Sequence, residues 1–171
     1  MKKLFSLIIC VVMAFLTLSV TACDTPTKAY TDFYNTVSSK EYEVPAPSGY
    51  ENFSFEIYKF NDYFDFEIYA SNKGSLYVSV NKNKSKGIST FFRENTAGEM
   101  LATIKYSQST ATGEVIDVAF KSEKIDSTNA IYNEIVQKSQ EYYATMLPVI
   151  NDFIAQISNG KYSSIDDLYK S

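Results

Sequence analysis

The chain has no histidine, no tryptophan and only two cysteines in 171 residues. Without imidazole there is no Ser-His-Asp or Cys-His nucleophile, no imidazole metal ligand and no side chain that titrates near neutrality unaided. Most common hydrolase mechanisms are excluded with it. Positive charge is in deficit too: 16 Lys and Arg stand against 20 Asp and Glu, a net charge of −4. No basic face emerges from the pattern, which argues against a nucleic-acid partner. There is no Gly-rich phosphate loop, no Cys-x-x-Cys pair and no EF-hand loop, so no cofactor and no metal are expected.

What is present begins at the N-terminus. Met1-Lys2-Lys3 precedes a nearly continuous apolar stretch from Leu4 to Val20 and then Thr21-Ala22-Cys23. A basic n-region, an apolar core and a small-residue exit read as a secretory signal. Val20-Thr21-Ala22-Cys23 resembles the lipobox of bacterial lipoproteins. In that family the leader is cut before the cysteine, whose thiol carries a diacylglycerol and whose new amino group takes a fatty acid such as palmitate. The resemblance implies a signal peptide over 1–22, lipidation at Cys23, and an extracytoplasmic domain over 23–171, held on the cell membrane at the cell envelope.

Removing Lys2 and Lys3 with the leader leaves 149 residues with fourteen basic and twenty acidic side chains, net −6. Cys10 leaves with the leader and Cys23 is committed to lipid, so no disulfide is expected. Packing has to supply the stability, and a chain of this length can bury an ordinary core.

Periodicity then divides the domain into three parts. Thr25-Pro26 is a plausible cap and first helical position, and Ala29, Phe33, Tyr34 and Val37 share one face, so a helix is expected near 25–39. The Pro- and Gly-containing stretch 44–50 is a linker. From 51 to 121 the period is two: Phe64, Phe66, Ile68 and Ala70 alternate with Tyr63, Asp65, Glu67 and Tyr69. Phe53, Phe55, Ile57 and Leu76, Val78, Val80 repeat the pattern, with further strands near 88–93, 100–106 and 114–121. A two-residue Asn61-Asp62 turn pairs Ile57 with Phe66 and Phe55 with Ile68. A three-residue Asn72-Lys73-Gly74 loop pairs Ile68 with Val78 and Phe66 with Val80.

A long C-terminal helix capped at Asp126 or Ser127 carries Ile131, Ile135, Tyr142, Met146, Ile150, Phe153, Ile154 and Ile157, with a kink at Pro148 and an end at Asn159-Gly160. A short helix starting at Ser163 or Ser164 follows. The fold class is α+β: an N-terminal helix, a six-stranded antiparallel β-meander, and the long helix packed on the sheet.

Two surfaces are candidates for function. On the outer face this register sets Glu56 opposite Glu67, Asp65 opposite Tyr58 and Tyr69 opposite Tyr77. Rings beside carboxylates suit a glycan or a cation: the rings stack on apolar faces and the oxygens accept hydrogen bonds. Facing carboxylates on paired strands are too close for an inverting glycosidase, so no catalytic residue is assigned and no enzyme is expected. On the inner face, a curved sheet followed by a long apolar helix resembles in element order the helix-grip arrangement of the START superfamily. That resemblance implies an apolar ligand enclosed by Phe53, Phe55, Phe64, Phe66, Ile116, Phe120, Met146 and Phe153; the alternative is that the same residues simply form a packed core. A third feature, Lys82-Asn83-Lys84-Ser85-Lys86-Gly87, is a lysine-rich hairpin tip, read as a solvated loop or a contact to anionic headgroups. The expected protein is a non-catalytic binding or interaction module whose ligand is an envelope glycan, an envelope protein that it docks as an accessory subunit, or an apolar molecule that it carries.

Overall fold

Side-chain alternation in the central strands sets the architecture. The computed structural model describes residues 25–82, 86–94, 98–106, 114–121 and 123–170. The expected leader, residues 1–22, and Cys23 lie outside the described residues. In order, the elements are α1 (Lys28–Thr36), β1 (Lys40–Glu41), β2 (Ser54–Lys59), β3 (Tyr63–Ala70), β4 (Gly74–Asn81), β5 (Lys86–Glu94), β6 (Gly98–Tyr106), β7 (Glu114–Phe120), β8 (Glu123–Lys124), α2 (Tyr132–Ile157) and a 3₁₀ turn (Ile165–Tyr169). The described strands make one antiparallel sheet in sequential order. The six expected strands are β2 to β7. The sheet gains two residues at each edge, from β1 and β8, and such short edge strands offer little template for pairing with another chain.

Phe64, Phe66, Ile68 and Ala70 of β3 are fully buried, as are Leu76, Val78 and Val80 of β4. Helix α1 lays Phe33 against Phe64 and Phe66, with ring centroids 5.4 and 6.4 Å apart, and α2 lays Phe153 against Phe55 at 4.9 Å. Both helices therefore cover the same face of the sheet, and among the described residues the other face has no helical partner.

Registers agree with the turn chemistry in part. Phe60 N–H donates to Tyr63 C=O at 2.9 Å, closing the Asn61-Asp62 turn, and Ile57 pairs with Phe66 and Phe55 with Ile68 as expected. The next hairpin turns one residue early, through Ser71-Asn72-Lys73. Lys73 N–H reaches back to Ala70 C=O at 3.0 Å, and Gly74, at φ +91°, opens β4. Ile68 therefore meets Leu76 and Phe66 meets Val78, two residues from the expected partners. A slip of two keeps every side chain on its expected face.

Helix α1 begins later than expected. Its cap is Thr27 rather than Thr25: the Thr27 Oγ1 accepts from Tyr30 N–H at 3.0 Å and donates to Leu168 C=O, tying the helix to the chain's end. At the other end, Lys59 Nζ donates to the C=O groups of Tyr34 at 2.5 Å and Val37 at 2.9 Å, an ammonium placed where the helix dipole favours it. Helix α2 also starts late, at Tyr132, because Asp126 is used in a turn that accepts from Thr128 N–H at 2.9 Å. Its C-terminus matches expectation: Asn159 (φ 52°) and Gly160 (φ 77°) are left-handed, and their N–H groups bond back to Gln156 and Ala155. Pro148 lies inside a single continuous helix, on its exposed side next to Ala144, so the carbonyl its ring leaves unpaired faces solvent.

Two buried hydroxyls join α2 to β5. Ser139 donates to Ile135 C=O at 3.0 Å, so its oxygen accepts from Thr90, and both residues are fully buried. Replacing Ser139 by Ala strands the Thr90 hydroxyl, an expected cost of about 1–3 kcal/mol. The double variant Ser139→Ala/Thr90→Val removes both polar groups and recovers most of that loss. Urea unfolding of the unmodified protein and the two variants checks this: equal losses for the single and double variants would refute the pairing.

Candidate functional site

Because β2, β3 and β4 bury alternate residues, the remaining ones form rows across the outer face. One row runs Glu41, Glu56, Glu67, Tyr77 across β1 to β4, a second Tyr58, Asp65, Ser79, and a third Ser54, Tyr69, Ser75. The expected Glu56–Glu67 and Tyr58–Asp65 pairs are present. The Tyr69–Tyr77 pair is not: the early turn places Tyr77 beside Glu67 and Tyr69 beside Ser75. Glu41 was missed, because the two-residue strand that brings it next to Glu56 has no alternation to read.

Like charges directly opposite one another destabilise a sheet. Here phenols and a hydroxyl offset that repulsion. Tyr58 donates to Glu56 Oε2 at 2.7 Å, Tyr77 to Glu67 Oε1 at 2.8 Å, and Ser79 to Asp65 Oδ1 at 2.6 Å. Among the described residues, no ammonium lies within ion-pairing distance of Glu41, Glu56, Asp65 or Glu67. The Tyr58 phenol is pushed up to about 12, first by its hydrogen bond to Glu56 and then by the charges of Glu56 and Glu67. Tyr77 rises by burial and by its bond to Glu67. Asp65 rises by burial, opposed by the Ser79 hydroxyl. The phenols thus remain donors throughout the neutral range, and the carboxylates keep lone pairs free toward solvent.

Two tyrosines flank the glutamates with their rings outward. Tyr58 and Tyr69 are each 41% exposed. They lie four residues of strand and one strand spacing apart, roughly 14 Å between backbones. Among the described residues no set of three Asp, Glu or Cys side chains converges as metal ligands.

The proposed cavity residues fall in four places. Phe55, Phe64, Phe66, Met146 and Phe153 are in the packed core, at most 4% exposed. Phe53 lines an open groove of about 770 Å³ with Tyr42, Val44, Pro45 and Gln156, and Phe120 is half-buried against Val118 and Ile135. Ile116 faces away from the core at 48% exposure. The cause is a bulge in the β6/β7 ladder. Thr103 pairs with Asp117 and Ile104 with Val115, so Ile116 is the extra residue and Val115 takes the inward place. At the lysine-rich tip, Lys82 pairs with Asp62 and Lys86 with Asp166, the latter at 2.8 Å, while residues 83–85 lie outside the described residues.

Comparison with protein-family models, with curated proteins and with solved structures returns no match to this chain.

Replacing Glu56 by Gln removes the charge and leaves the Tyr58 proton only a neutral amide oxygen as acceptor. The Tyr58 pKa is expected to fall from about 12 toward the ordinary tyrosine value of about 10. Tyrosinate absorbance followed between pH 9 and 13 reads this; an unchanged titration would show that the pair does not exist in solution.

Proposed function

We propose that this chain is an exported lipoprotein, anchored to the extracytoplasmic face of a cell membrane through lipid on Cys23, and that it acts without catalysis as a binding module for an envelope glycan. The outer face of the sheet is the binding surface. One observation carries the choice of face: Tyr58 and Tyr69 present open rings on either side of carboxylates that have no counter-ion among the described residues. An aromatic face stacks on the C–H face of a sugar ring, and carboxylate oxygens accept its hydroxyl protons. The separation of the two rings suits an oligomer bridging them better than one small molecule. No convergent metal-ligand set among the described residues favours a cation instead.

The inner face gives less support to carriage of an apolar ligand. Five of its eight candidate residues already pack into one another, and Phe153 touches both Phe55 and Phe66. A second reading keeps the same outer face but gives it a protein partner. It rests on the exposed Tyr58 and Tyr69 rings, since aromatic residues are enriched at protein interfaces.

The double variant Tyr58→Ala/Tyr69→Ala is expected to lose about tenfold in affinity for solubilised envelope polysaccharide, while staying folded at a stability cost of about 1–2 kcal/mol from lost strand propensity and the lost Tyr58–Glu56 bond. Isothermal titration of the mature lipoprotein in detergent measures the first and thermal unfolding the second. Undiminished binding by the variant removes the outer face from the reading. Loss of a co-purifying protein, with no polysaccharide affinity in either form, assigns the face to a partner protein instead.

A further inference from the structure

The lipid anchor, if it is where the proposed function puts it, leaves the domain almost no freedom to choose which end meets the membrane. Cys23 is five residues from Lys28, the first residue of α1. Fully extended, that segment spans about 17 Å. The headgroup layer of a bilayer takes up roughly 5–8 Å of it. Lys28 therefore lies within about 10 Å of the lipid phosphates, about one screening length at moderate salt.

That end of the domain is a lysine-walled pocket. Lys28, Lys161 and Lys170, with Ala29, Tyr162 and Asp167, line a depression of about 400 Å³. The three lysines come from three separate places, the first turn of α1, the loop after α2 and the end of the 3₁₀ turn, and all three are exposed. Thr27 binds these segments together through Leu168 C=O. Lys161 is paired with Asp32 and Lys170 with Asp167, while Lys28 has no ion pair among the described residues. The outer sheet face, on the far side of the sheet from α1, carries the unneutralised Glu41, Glu56 and Glu67. With Asp32 and Asp167 offsetting Lys161 and Lys170, the first end keeps the positive charge of Lys28, which an anionic surface attracts while it repels the acidic face.

We infer that the Lys28, Lys161 and Lys170 pocket docks onto the anionic phospholipid headgroups of the membrane that holds the anchor, fixing the domain with its acidic, tyrosine-bearing sheet face turned away from the bilayer. This rests on the anchor reading and adds an orientation to it. The lipid class is set by charge: a phosphate whose headgroup brings no compensating cation, as in phosphatidylglycerol, satisfies the lysines where a zwitterion does not.

The test uses the mature acylated protein in vesicles of phosphatidylcholine alone or of an equal mixture with phosphatidylglycerol, read by amide hydrogen exchange over residues 28–36 and 158–170. Exchange in both segments is expected to slow in the anionic vesicles. Each lysine neutralised, in Lys28→Gln and in Lys28→Gln/Lys170→Gln, should lose roughly fivefold of that protection. Lys28→Gln breaks no ion pair of the described structure, so it reads docking without disturbing the fold. Equal exchange in the two vesicle types overturns the inference, as does protection that both variants retain. Protection supplied by inorganic phosphate over neutral vesicles also overturns it, and assigns the pocket to a soluble anion. The intact mass of the purified protein separates the two levels: absence of the diacylglycerol addition at Cys23 sinks the anchor reading and the docking with it, whereas a lipidated protein with equal exchange sinks the docking alone.

Discussion

The structure depends on one constraint, the pleat of β3. Four apolar residues, Phe64, Phe66, Ile68 and Ala70, have no exposed surface, so the strand cannot rotate or slip by one without putting all four in water. Each of the large ones contributes about 1.5–3 kcal/mol on burial, far more than any single interaction on the opposite face. That imbalance holds Asp65 and Glu67 outward beside Glu56 even though their charges oppose the arrangement. The acidic row is therefore a consequence of packing on the other side of the same strand. The tyrosine and serine hydroxyls that bond to it reduce the cost without removing the charge.

What could be read from the amino acids follows from how locally each feature is encoded. Alternation over six to eight residues announced β2, β3 and β4 and their faces, and Asn61-Asp62 set their first register because a two-residue turn leaves one solution. The second turn offered two ways to loop around Gly74. Both keep the same parity, so faces came out right while partners came out wrong, and Glu67 gained Tyr77. Ile116 was misplaced for a related reason. A bulge adds one residue, and Val115 and Ile116 are equally apolar, so nothing local says which of them turns inward. The helix starts were misjudged because Thr25, Thr27, Asp126 and Ser127 can all cap: Thr27 wins in α1 by also reaching Leu168, whereas before α2 Asp126 closes a local turn with Thr128 instead. Glu41 depended on a two-residue strand whose pairing is made across the linker.

Separating stability from surface chemistry has a physical basis here. The two helices and the 3₁₀ turn pack on one side of the sheet, where Phe33, Phe55, Phe66 and Phe153 interlock. The other side is held up from behind and contributes little of its own. Residues there can serve a ligand without the fold depending on them, which is the condition under which a sheet face becomes a binding surface. An internal cavity would have to be opened within the same interlocked rings, at a cost that rises with the volume left unfilled.

Charge is distributed along the same division. Lysines meet where three chain segments converge next to the start of α1, and carboxylates without counter-ions among the described residues collect beyond the sheet. With net charge −4 over the whole chain, this segregation gives the molecule a direction that its total charge does not express. The short tether of the proposed anchor would convert such a direction into an orientation, because rotations that bring the acidic face toward an anionic bilayer are opposed while the opposite ones are favoured. For a module held within a few residues of a membrane, orientation decides what the binding surface can reach. Under the proposed function, a sheet face turned outward would meet the polymers of the envelope; the same face turned down would be covered by lipid headgroups of its own sign.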